Sequence, residues 1–89
     1  MKIKSGFMLR EVAGQWVVVP LGERVVQVSG ILSITSSGAV LWKALEAGVE
    51  GIEDLARVLL KEYDQVDEET ALADVRAFVA QLSDKGLLE

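Results

Sequence analysis

The chain has 89 residues, room for one hydrophobic core and too few for the two-lobed clefts of most enzymes. Hydrophobic residues make up 51% of it, but they come in short runs broken by charges, which excludes a membrane-spanning helix of about 20 apolar residues. Cysteine and histidine are both absent, which removes disulfides, thiolate and imidazole metal sites, Cys nucleophiles and His bases, and the net charge of −5 disfavours binding to phosphate backbones or anionic lipid.

Residues 1–6 carry two lysines and no apolar core, so a secretory signal is not expected and a cytoplasmic location is. Residues 7–12 and 15–19 are rich in β-branched and aromatic side chains. With Ala13-Gly14 between them, a two-residue turn that tolerates positive φ, they predict a β-hairpin. Pro20 ends the second strand, Leu21-Gly22-Glu23 turns the chain, and residues 24–28 read as a short extension of the sheet. After Gly30, the run Ile31-Leu32-Ser33-Ile34 reads as a third strand, short enough to be an edge.

The period changes at Thr35. Thr35-Ser36-Ser37 offers hydroxyl caps before Ala39, Val40, Leu41, Trp42 and Leu45, whose spacing predicts a helix ended by Gly48. A second helix opens near Gly51, with Glu53 and Asp54 in its first turn and Ile52, Leu55, Ala56, Leu59 and Tyr63 as its apolar stripe. Asp67 caps a third, where Ala71, Val75, Phe78 and Leu82 recur at spacings of 4, 3 and 4, Leu72 and Val79 widen the stripe, and Lys85-Gly86 supplies a stop that folds Leu87 back. The order βββααα describes a single α+β domain over residues 1–89, a three-stranded antiparallel sheet followed by three helices, with Trp16, Trp42 and Phe78 as its large core fillers.

Charge is divided along the chain. Residues 1–45 hold five basic and two acidic side chains, residues 46–89 four basic and twelve acidic. Acidic residues solubilise a helical half, or they attract a basic partner. Adjacent carboxylates such as Glu68 and Glu69 point apart on a helix and make no acid–base pair, so no catalytic residue and no cofactor is expected.

The run from Gly30 through Ile34-Thr-Ser-Ser-Gly38-Ala39-Val-Leu-Trp42 to Leu45, followed by Ile52-Glu53-Asp54-Leu55-Ala56, Glu62-Tyr63-Asp64, Asp74-Val75, Phe78-Val79, Leu82 and Gly86-Leu87-Leu88, resembles the PqqD-like family over nearly the whole chain. Ile34-Thr35 stands where that family usually has Leu-Asn, and residues 21–29 are longer than in its shortest members. The resemblance implies a small winged-helix-like domain that serves as a RiPP recognition element. Such a domain holds the leader of a ribosomally made precursor peptide and presents it to a separate modifying enzyme, often a radical SAM maturase. It further implies that the peptide lies between the third strand and the third helix.

On this chain those positions are Gly30, Ile31, Leu32, Ser33 and Ile34, with Leu72, Arg76 and Val79 on one side of the third helix. An edge strand offers unpaired N–H and C=O groups to an incoming strand, and pockets beside it select side chains. Leu72 and Val79 also suit ordinary core. Arg76 suits a peptide carboxylate, but it equally suits a surface pair with Glu69 or Asp74, and the latter is the expectation.

Two other classes compete. The same edge could dimerise the chain or dock it on a larger enzyme as an adaptor. A winged-helix DNA binder is disfavoured, because the second helix offers only Arg57 and Lys61 and the third is acid-rich, with Arg76 and Lys85 its cations.

Overall fold

The computed structural model describes residues 1–27 and 32–89; of Val26 and Gln27 only the backbone is described. In chain order, β1 spans Phe7–Val12, β2 Gln15–Pro20, α1 Arg24–Gln27, β3 Leu32–Ile34, α2 Ser36–Ala47, α3 Ile52–Glu62 and α4 Glu68–Asp84. The strands form one antiparallel sheet in the order β1-β2-β3. Three antiparallel strands and three main helices therefore stand where the sequence places them, and α1 is the one element it does not anticipate.

At the hairpin, Val12 pairs with Gln15 across Ala13-Gly14, and both loop residues take positive φ, 52° and 79°. That combination matches the right-handed twist of the two strands. Residues directly opposite in an antiparallel sheet share a face. Phe7 and Pro20, Leu9 with Val18 and Leu32, and Glu11 with Trp16 and Ile34 lie on one face. There Val18 is buried, and Phe7, Leu9, Leu32 and Ile34 pack on the core. Met8 with Val19, Arg10 with Val17 and Ser33, and Val12 with Gln15 form the other face.

Residues 24–27 are helical, correcting the expected extension of the sheet; Val28 lies outside the described residues. After Pro20 the chain turns tightly, with Leu21 N donating to Gly6 O, Arg24 N to Leu21 O and Val25 N to Gly22 O. Arg24 Nε then donates to Ser5 O at 2.9 Å, and its guanidinium lies 5.6 Å from the Phe7 ring centre. These contacts hold the turn against the entry to β1 instead of leaving it free to pair with the sheet.

The helices begin and end as their end residues dictate. Thr35 Oγ1 accepts from Gly38 N at 3.1 Å to open α2, and Asp67 Oδ1 accepts from Thr70 N at 2.7 Å to open α4. In α3, Asp54 reaches back to the Glu50 and Gly51 amides and pairs with Arg57. The Arg57 hydrogen bond first, and the Gly51 amide next, hold the Asp54 carboxyl below its ordinary range; the Thr70 amide does the same for Asp67. Past α4, Gly86 turns to φ 74°, Gly86 N donates to Ser83 O and Leu87 N to Leu82 O, and Leu87 is buried as a result.

The core comprises Val18 from the sheet, Leu41, Trp42 and Leu45 from α2, Leu55, Ala56 and Leu59 from α3, and Ala71, Val75, Phe78 and Leu82 from α4, closed by Ile3 and Leu87. Trp42 is fully buried, with its ring edge-on to Phe7 at 6.5 Å, and its indole Nε1 has no hydrogen-bond partner. Trp16 departs from the expectation of a core filler and is only half-buried. It sits at the hairpin end of β2, where α2 meets it with the Lys43 ammonium, 5.0 Å over the ring, rather than with an apolar side chain.

Residues 1–4, which the sequence reading left without structure, are part of the fold. Ile3 bridges Leu88, Lys4 N donates to Leu87 O, Glu89 N to Lys2 O and Ile3 N to Leu45 O. No helix among the described residues is long and apolar enough to cross a membrane.

Candidate functional site

Among the described residues β3 pairs only with β2, so its other edge offers backbone groups without a strand partner. Within β3, Leu32 and Ile34 turn half-buried toward the core while Ser33 is exposed on the opposite face. Gly30 and Ile31, expected to begin this strand, lie outside the described residues.

The helical wall is α4. Its buried stripe of Ala71, Val75, Phe78 and Leu82 divides its surface into two flanks. Leu72 and Val79 lie on one flank, half-buried against the edge of the core, with exposed Arg76 between them. Arg76 makes no ion pair with Glu69 or Asp74: among the described residues the sole salt bridge joins Arg57 to Asp54. The expected surface pairing is therefore absent, and the guanidinium is left available to an outside carboxylate.

The opposite flank holds residues that the sequence marks as core, caps or surface acids and not as parts of a pocket. Asp74, Ala77, Phe78 and Gln81 face Thr35, Ser37, Gly38 and Leu41 across a cavity of about 290 Å³. Beside it the packing is tight: a Cβ on Gly38 would stand 3.1 Å from Phe78 Cε1 and 3.3 Å from Ile34 Cβ. This is the point at which β3, α2 and α4 converge. The signal in the sequence was the small-residue run 36–39, which reads as a helix start and equally as room for a neighbour. Around the corner, Trp16, Ser33, Ile34, Thr35 and Ser36 line a shallower depression of about 410 Å³.

At the Ile34 end, then, an open strand edge adjoins hollows of mixed polar and apolar lining, with Asp74 on the same flank of α4, whereas Leu72, Arg76 and Val79 lie on the other flank; Glu69, Asp74 and Asp84 are all exposed. An open edge beside such hollows is an arrangement that suits an extended chain.

Two solved structures share this architecture. One, described as "TbiB1 in Complex with the TbiA(beta) Leader Peptide", superposes with a TM-score of 0.75 at 27% identity, covering 100% of this chain and 95% of that one. The other, described as "Lasso peptide synthetase B1 complexed with the leader peptide", has a TM-score of 0.71 at 20% identity, covers 97% and 93% of the two chains, and is similar in fold. No curated protein matches the sequence. The family described as coenzyme PQQ synthesis protein D (PqqD) matches residues 15–88, a span that includes β2, β3 and all the helices, and the chain belongs to that family.

Proposed function

We propose that the protein binds the leader region of a ribosomally made precursor peptide by strand addition to the open edge of β3. It then presents the peptide to a separate modifying enzyme and performs no chemistry itself. In this reading Gly30, Ile31, Leu32, Ser33 and Ile34 supply the strand, Leu72 and Val79 wall the peptide, and Arg76 takes a peptide carboxylate. The cavity at Gly38 and Phe78 receives a side chain where the peptide passes the end of β3. The observation that carries this reading is the unpaired edge of β3 in a PqqD-family fold, and the 27%-identical neighbour, itself a leader-peptide complex, supports it. The modifying enzyme is a radical SAM maturase if this chain serves a system like those the resemblance implies. Peptide and protein then meet in the cytoplasm, where the precursor is translated.

The test is a titration of the fluorescently labelled cognate leader against wild type, Ser33→Pro and Arg76→Ala. The two-residue hairpin makes Val12–Gln15 and Arg10–Val17 the hydrogen-bonded pairs, so Trp16 and Val18 turn their backbone groups to Ile34 and Leu32, and the Ser33 amide points to the open edge. Proline at position 33 removes that edge donor, and Ser33 and Arg76 are both exposed, so either change spares the core. The expected result is a loss of about tenfold or more in affinity for Ser33→Pro and a smaller loss for Arg76→Ala. Undiminished binding by folded Ser33→Pro would sink strand addition. A dimer that grows with concentration in wild type and vanishes in Ser33→Pro would assign the edge to self-association instead.

A further inference from the structure

The outer face of the sheet, turned away from the core, is largely apolar and partly exposed. Met8 and Val12 are 39% and 56% exposed, Val17 and Val19 are half-buried beside them, and the one charge among them is Arg10, which pairs with Val17 across the strands. Arg10 makes no ion pair among the described residues. Core packing explains none of this, since Val18 and Leu9 on the opposite face do that work.

We propose that this face, Met8, Val12, Val17 and Val19 around Arg10, is the transient docking surface for the enzyme that modifies the bound peptide, through a partner patch that sets a carboxylate among apolar side chains. Charge selects the occupant. A second copy packed face to face about a two-fold axis would turn Arg10 toward Arg10, whereas a carboxylate gains a charge-assisted hydrogen bond shielded by the surrounding valines. Arg10 and Glu11 are the only charged residues in the three strands, and of the two Arg10 alone lies on this face.

Area sets the strength. With strands about 4.8 Å apart and about 3.4 Å per residue, three strands of this length present on the order of 250 Å², against about 800 Å² per partner in a standard stable interface. A peptide added at β3 lengthens the same face by one strand, so the enzyme binds the loaded protein more tightly than the empty one and releases it once the peptide leaves.

The identity of the partner rests on the leader-peptide reading, and the experiment scores the two separately. The purified cognate modifying enzyme is immobilised, and wild type, Arg10→Glu and Val12→Glu are passed over it with and without the cognate leader; leader affinity is measured independently. Both substitutions fall on exposed positions. The expected result is an enzyme affinity weakened by about tenfold or more in both variants, leader affinity within about twofold of wild type, and rescue of Arg10→Glu by an Asp or Glu→Lys change in the enzyme's patch. Unchanged enzyme binding by both variants, or no enzyme binding by wild type, overturns the docking surface and leaves the peptide reading standing. Absent leader binding with intact, variant-sensitive enzyme docking overturns the peptide reading alone. A wild-type dimer that Val12→Glu dissociates assigns the face to a second copy and overturns the inference.

Discussion

Ala13 is the one described non-glycine residue with positive φ, and its Cβ makes the left-handed conformation costly. The hairpin accepts that cost because the two-residue loop joining Val12 to Gln15 requires positive φ at both positions. Asparagine tolerates this conformation and completes the preferred Asn-Gly pair with Gly14. Ala13→Asn is therefore expected to stabilise the protein by about 1 kcal/mol, measured as a higher urea midpoint at unchanged m-value. This position was legible in the sequence as a turn, and the strain at Ala13 follows from the turn type alone.

Among the elements, α2 shows how local and tertiary demands meet on one residue. Gly38 sits in the first turn of a helix, where the sequence shows a capped start, and the structure adds that the ring of Phe78 and the β-carbon of Ile34 occupy the space a side chain would need. Thr35 Oγ1, held by its hydrogen bond to Gly38 N, closes the third direction at 3.3 Å. Alanine improves helix propensity but has to push a strand and a helix apart. Gly38→Ala is expected to lose about 1–2 kcal/mol in urea denaturation, with overpacking outweighing the propensity gain. A gain in stability would mean that Phe78 yields freely and that the cavity beside it is softer than described. The short helix α1 illustrates the opposite case. Its four residues carry no periodic signal, and what forms it is the clasp of Arg24 on Ser5 and Phe7, contacts 17 to 19 positions away in sequence.

Over the whole molecule, the segment formed by residues 1–4 is the part least visible in the sequence. Ile3 is 5% exposed and ties α2 to the Leu87-Leu88 strand pairing, yet one isoleucine between two lysines has neither helix nor strand periodicity. Ile3→Ala should cost about 2–4 kcal/mol, a large share of the stability expected for a domain of this size, and would appear as a drop in thermal midpoint. A loss under about 0.5 kcal/mol would show that the bridge is dispensable.

The hairpin, the caps at Thr35 and Asp67, the buried stripe of α4 and the Gly86 stop could all be read from residues within a turn or two of one another, because periodicity and end chemistry are local properties of the chain. The family resemblance extended that reading to a peptide-binding role for β3 and the last helix. Folding decided that β3 ends the sheet beside α2, that Trp16 sits at the sheet's end under Lys43, that Arg76 makes no ion pair among the described residues, and that Met8, Val12, Val17 and Val19 gather around Arg10 on the face opposite the core. Each of these depends on how strands and helices distant in sequence stack on one another, and that is fixed by the joint packing of the core rather than by any segment's own preference.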